Sequence, residues 1–144
     1  MVKLKYDRIF VYDYCGEFAN FAIENYIFVE ANTGAFSSFM VKAWDEASKG
    51  GTTLLMLDEI AVYGKDNPQI DHAYRLSRHV GMDIVAISQR FFSLPVITRS
   101  QTDIFHVFQI TELRDVQYLR GTVGDRVTEA IQRLGMFEYL DVTL

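Results

Sequence analysis

A chain of 144 residues, 49% hydrophobic and 14% aromatic, can bury a genuine core as one domain, which excludes a disordered polymer. A formal net charge of −5 argues against an autonomous nucleic-acid binder with a basic surface, although a ring that threads DNA needs only a few cations facing its pore. Cys15 is the single cysteine, which excludes an internal disulfide and suits a reducing, cytoplasmic setting. No apolar run is long enough for a signal peptide or for the roughly 20 residues of a membrane span.

In chain order, the first apolar run is Arg8 to Tyr12 (RIFVY), closed by Asp13 and Gly16. Tyr26 to Ala31 (YIFVEA) is the second, followed by the turn-like Asn32-Thr33-Gly34. Phe36, Phe39, Met40, Ala43 and Ala47 then recur at helical spacing until Gly50-Gly51. Thr53 to Leu57 (TLLML) is the third run and ends at Asp58-Glu59. Pro68 opens a helix with Ile70, Ala73, Tyr74 and Ser77 on one face and Gly81 at its end. Asp83 to Ser88 (DIVAIS) and Ile104 to Ile110 (IFHVFQI) are the fourth and fifth runs. Val116, Leu119, Val123, Val127, Ile131 and Leu134 describe one or two helices broken near Gly121 and Gly124, and Met136 to Leu144 alternates as a final edge strand. Short, near-continuous apolar runs suit strands buried on both faces. Their alternation with helices predicts an α/β fold with a mainly parallel sheet.

The chemistry concentrates at Leu54-Leu55-Met56-Leu57-Asp58-Glu59, an apolar strand running into adjacent carboxylates. In an open parallel sheet, ligands lie beyond the carboxyl ends of the strands, where these acids fall. Hydrolysis of a nucleoside triphosphate needs one carboxylate for the Mg²⁺ shell and a second group to orient or deprotonate water. Asp58 fits the first role and Glu59 the second. The plain alternative is an acidic pair that caps the loop after a strand. His72, His79 and His106 form no metal-ligand pattern with Cys15, and His106, inside a strand run, reads as a core histidine.

The neighbourhood sharpens the reading. The run Arg78-His79-Val80-Gly81-Met82-Asp83-Ile84-Val85-Ala86-Ile87-Ser88-Gln89-Arg90 resembles the fourth core strand of the HerA–FtsK superfamily, where a basic helix ends at glycine and the strand ends in a polar sensor. Leu94-Pro95 followed by Arg99-Ser100-Gln101-Thr102-Asp103, and Asp13-Tyr14-Cys15-Gly16-Glu17-Phe18, are similar to that family in the same order. The resemblance implies a RecA-like P-loop ATPase that moves or packages double-stranded DNA through a ring, with each ATP site shared between subunits. It assigns Asp58 to Mg²⁺ as the Walker B acid, Glu59 to the water and Gln89 to sensing the γ-phosphate. Arg75, Arg78 and Arg99 are the candidate cations acting on a neighbour's site.

The Walker A loop, G-x-x-x-x-G-K-[ST], has no match. Lys49-Gly50-Gly51-Thr52-Thr53 has suitable residue types but follows a helix and enters a strand, the reverse of the required order. Against the family, residues 1–144 read as a single RecA-like domain without the first strand and its phosphate loop, doubtful as an ATP binder alone and prone to self-association or to joining homologous subunits. Two further readings are a non-catalytic structural or regulatory module that binds partner subunits, and an unrelated flavodoxin-like domain.

Overall fold

The apolar runs form strands where expected, but they divide between two sheets. A computed structural model describes residues 5–18, 26–30 and 33–143. β1 (Arg8–Asp13), β2 (Tyr26–Glu30), β3 (Thr53–Leu57) and β4 (Met82–Ala86) pair in parallel in the order β2-β1-β3-β4. Met56 lies opposite Val11 on one side and Val85 on the other, so the LLMLDE and DIVAISQ segments are adjacent parallel strands and β3 is interior. Parallel neighbours require crossovers. α1 (Thr33–Ala47) connects β2 to β3; α2 (Pro68–Leu76) and a 3-10 turn over Ser77–Val80 connect β3 to β4.

Local chemistry explains these elements. Phe36, Phe39, Met40, Ala43 and Ala47 form the buried stripe of α1. Thr33 and Gly34, expected in a turn, are its first residues instead, because the first helical turn needs no particular propensity when the following stripe is buried; Asn32 lies outside the described residues. Asn67 caps α2, its side-chain oxygen accepting from the N–H groups of Gln69 (3.0 Å) and Ile70 (3.3 Å), with Pro68 in the first turn. Gly81 ends the crossover at φ +63°, and a Cβ there would stand 2.9 Å from the Gly51 carbonyl oxygen. Only glycine satisfies both constraints.

Among the described residues the helices pack on one face of the parallel sheet. Phe10, Tyr12, Leu55, Leu57 and Met82 point into a core shared with α1 and α2 and with Phe91, Leu94, Val107, Leu119, Ile131 and Val142. On the other face Ile9, Val11 and Leu54 are buried with Tyr6, Phe18 and Met56, but Val85 and Ile87 are 42% and 36% exposed. Alternation puts Val85 level with Met56 on that face.

β5 (Ile104–Phe108) does not join the parallel sheet. It pairs antiparallel with β6 (Tyr139–Thr143), so the final strand edges this second ladder. A six-residue helix, α3 (Val96–Gln101), precedes β5; its β-branched sequence gave no helical signal. α4 (Leu113–Val123) and α5 (Asp125–Gln132) break at Gly124, with φ +85°, while Gly121 stays inside α4. Phe105 and Val107 face inward, so His106 between them points outward. The expectation of a core histidine is therefore corrected: His106 is exposed and bonded through Nδ1 to Asp141 at 2.5 Å.

Among the described residues no strand pairs with the second edge of β4, and β4 does not close onto β5. Of Val2 to Tyr6, a segment expected as one candidate to fill that edge, Lys5 and Tyr6 form no strand and the rest lies outside the described residues.

Candidate nucleotide-hydrolysis site

Asp13, at the end of β1, builds the loop that borders the acids. Its buried carboxylate accepts three N–H groups, from Gly16 (2.7 Å) and Glu17 (3.0 Å) at Oδ1 and from Phe18 (2.8 Å) at Oδ2. Gly16, at φ +73°, lets the chain fold back over the carboxylate. The loop returns one contact to the next strand: the Cys15 N–H donates to Asp58 Oδ2 at 3.2 Å.

Asp58 sits just past β3 and is 6% exposed. Its N–H continues the ladder to the Tyr12 carbonyl at 3.0 Å, and its own carbonyl accepts from the Tyr63 hydroxyl at 3.1 Å. Tyr63 stacks on Phe36 with centroids 4.1 Å apart; burial, then nearby Tyr12 and Asp58, push its phenol far above the ordinary range, so it acts only as a neutral donor. The exposed Cys15 thiol is also pushed up, by desolvation first and by the Asp58, Glu17 and Glu59 charges next.

Glu59 is a left-handed non-glycine residue at φ 46°, ψ 49°. The turn is fixed from both sides: Ile60 N–H donates to the Ile87 carbonyl at 3.0 Å, and Ile60 itself is fully buried. This geometry turns the Glu59 carboxylate across to β4's extension, where Oε1 accepts the Gln89 N–H at 3.2 Å. Asp58, Glu59 and Gln89 thus meet at the carboxyl ends of adjacent strands, with the Gln89 side chain exposed.

The Gln89 loop is anchored by residues that the sequence patterns did not mark. Arg90 Nε bonds Asp115 Oδ2 at 2.6 Å, and a second guanidinium nitrogen bonds Glu112 at 3.0 Å. Asp115 is buried in the first turn of α4 and also accepts the Phe92 N–H at 2.7 Å. The only sequence cue was Glu112 and Asp115 at helix-start spacing, where Glu112 also accepts the Asp115 N–H at 3.0 Å.

The three candidate trans-acting arginines are dispersed. α2 starts after the carboxyl end of β3 and finishes where β4 begins, so Arg75 and Arg78 lie toward the opposite end of the sheet. They pair with Asp71 (2.8 Å) and Asp103 (2.9 Å). Arg99 donates to the Phe92 carbonyl at 3.3 Å and lies 4.4 Å over the Tyr118 ring. The Lys49-to-Thr53 turn is likewise at the far end and internally committed. Arg8 bonds the Gly50 carbonyl, and Asp7 accepts from the Thr52 N–H (2.8 Å) and hydroxyl (3.0 Å). The Asp7 carboxylate set against that turn repels a phosphate. No group of three metal-ligating side chains occurs among the described residues, and none of their helices is long and apolar enough to cross a membrane.

The described residues form a mixed α/β fold, a parallel sheet with acids at its carboxyl ends and crossover helices packed against it. Among solved structures it is similar to the genome packaging NTPase B204 from Sulfolobus turreted icosahedral virus 2 in complex with ATP-gammaS. That match has a TM-score of 0.82 at 22% identity and covers 94% of this chain and 76% of that one. The AMP complex of the same protein matches at 0.80 and 21% identity over 94% and 77% of the two chains. The DNA-packaging ATPase B204 from Sulfolobus Turreted Icosahedral Virus matches at 0.82 and 22% identity, again over 94% and 77%. At these identities the likeness is one of fold. No protein-family model matches the sequence, and comparison with curated proteins gives no match.

Proposed function

We propose that these residues form the metal-and-water half of the nucleotide site in a genome-packaging or DNA-translocating NTPase core. The observation that carries the reading is the bond between Glu59 and the Gln89 N–H, beside buried Asp58, across two adjacent parallel strands. Mg²⁺ takes one or two carboxylates and completes its shell with water and phosphate oxygens. Asp58, buried just past the carboxyl end of β3, fits that requirement as the single protein donor. The bound ion would neutralise charge on the phosphate oxygens. Glu59, pinned through its turn, orients the attacking water and accepts its proton. The exposed Gln89 amide reads the γ-phosphate. Arg75, Arg78 and Arg99 all stay candidates for a cation acting on a neighbouring subunit: the first two would exchange Asp71 and Asp103 for its phosphates, and Arg99 its contacts with Phe92 and Tyr118.

The phosphates themselves need a cradle that none of these residues supplies. A strand, loop and helix entering along the edge of β4 that no described strand pairs would supply it. Without it the phosphates are not held in a reactive geometry and hydrolysis is negligible. A ring of like subunits around double-stranded DNA belongs to the same reading. The unpaired β4 edge also favours a second reading, a non-catalytic module that binds partner subunits there.

Electron paramagnetic resonance of Mn²⁺, in place of Mg²⁺, with added ATP separates the two. Mn²⁺·ATP should bind weakly, with a dissociation constant on the order of 1 mM, and Asp58→Asn should abolish that binding. Binding that is absent, or indifferent to Asp58→Asn, rejects the hydrolytic site and leaves the partner-binding module. Turnover on the order of 1 s⁻¹ that Glu59→Gln removes would reject the need for an outside cradle.

A further inference from the structure

Seven of the described basic side chains, Arg8, Lys49, Arg75, Arg78, Arg90, Arg120 and Arg133, have a carboxylate partner. The other six described cations, Lys5, Lys42, Lys65, Arg99, Arg114 and Arg126, have none, although acids outnumber bases in this chain by 19 to 14. Three of the six, Lys65, Arg99 and Arg114, converge on two aromatic rings. Lys65 Nζ lies 4.3 Å and the Arg114 guanidinium 4.4 Å from the Phe92 centroid, while Arg99 lies 4.4 Å over Tyr118. The rings meet edge to face at 5.6 Å, joining the three cations into one surface. A ring face positions a cation without neutralising it. Two like charges held together on one ring, with no carboxylate between them, leave a site open to an anion from outside. Lys65 and Arg114 are exposed and able to meet one. Of the nearest acids in sequence, Glu112 and Asp115 are taken by Arg90, and Asp66 is left beside Lys65.

The cluster lies on the loops that leave the site. Lys65 follows the Glu59 turn, and Phe92 follows Gln89 and shares Asp115 with Arg90. We propose that Lys65 and Arg114, mounted on Phe92, grip backbone phosphates of duplex DNA on this surface. The Phe92 ring already carries both cations, so the contact is with phosphate rather than a stacked base, and it is indifferent to sequence. This inference rests on the packaging reading above.

Fluorescence anisotropy with a 30-base-pair duplex of mixed sequence, titrated from 20 to 200 mM salt, tests it. Lys65→Gln/Arg114→Gln should weaken binding roughly tenfold or more at low salt and reduce the log–log salt slope by about 2. Lys42→Gln/Arg126→Gln, which removes two unpaired cations elsewhere, should change neither, and thermal melts confirm folding of both variants. DNA binding that both variants weaken equally, or that neither weakens, overturns the assignment of this surface and leaves the packaging reading standing. If Lys65→Gln/Arg114→Gln instead weakens Mn²⁺·ATP while sparing DNA, the cations serve the nucleotide and the inference fails. If it alters only the sedimenting mass, the surface is an interface between protein copies, and the inference also fails. Absence of any DNA binding by the parent chain rejects the inference, and the Mn²⁺·ATP measurement then decides the packaging reading separately.

Discussion

Glu59 holds a backbone conformation that side chains with a Cβ disfavour, and it does so where its carboxylate must cross to the next strand. Such a residue stores on the order of 1–2 kcal/mol of strain. Comparing Glu59→Gly with Glu59→Ala isolates that term, because both lose the bond to the Gln89 N–H and only glycine relaxes the backbone. In urea unfolding, Glu59→Gly should be the more stable by about 1 kcal/mol. Equal stabilities would mean that the turn is unstrained. Cys15 reports on the same corner by another route. Its thiol is raised by desolvation and by the facing carboxylates, so it is protonated, and slow to alkylate, through the pH range in which an ordinary cysteine begins to react.

At the level of elements, the Gln89 loop owes its position to α4. Asp115 binds both Arg90 and the Phe92 N–H from a side chain only 3% exposed. Asp115→Ala leaves a buried N–H without an acceptor and should cost about 2 kcal/mol in urea unfolding. Glu112→Ala removes a half-exposed ion pair and a helix cap and should cost about 1 kcal/mol. A smaller loss for Asp115→Ala than for Glu112→Ala would mean that the loop is held by other contacts. This tie was not legible in the sequence, because its partners stand 25 residues apart and an arginine after a strand looks like any solvated residue. The strands around the acids were legible. A parallel strand pairs with crossover neighbours and shows as an apolar run whatever its partner, and Asp58 and Glu59 broke that run at once. The pairing of β5 with β6 was not, since a local pattern reports a strand without naming its partner. His106 fell with it: in a run of aromatic and aliphatic residues its outward direction depends on which neighbours face the core. Phe36 to Ala47 and Ile70 to Ser77 were read correctly because one buried stripe at helical spacing admits one packing face.

In the molecule as a whole, one core holds both sheets together, so the antiparallel ladder and the parallel sheet should unfold as a unit. What the fold leaves unbalanced is β4. Gly81 and Ile87 direct their backbone groups to β3, through Thr53 N–H to Gly81 O at 3.0 Å and Ile87 N–H to Leu57 O at 2.9 Å. By alternation Asp83 and Val85 do the same, and the amides of Ile84 and Ala86 face away with no ladder partner among the described residues. β4 should therefore write a period-two signature in deuterium uptake: slow at Val85 and Ile87, fast at Ile84 and Ala86 within the same strand. The fast pair is also a gauge of occupancy. Whatever strand adds to this edge must take those two protons first. If copies of the chain pair along β4, uptake at Ile84 and Ala86 will slow as protein concentration rises, while Val85 and Ile87 hold steady. Uniform uptake across β4 at every dilution would show instead that the edge is already closed.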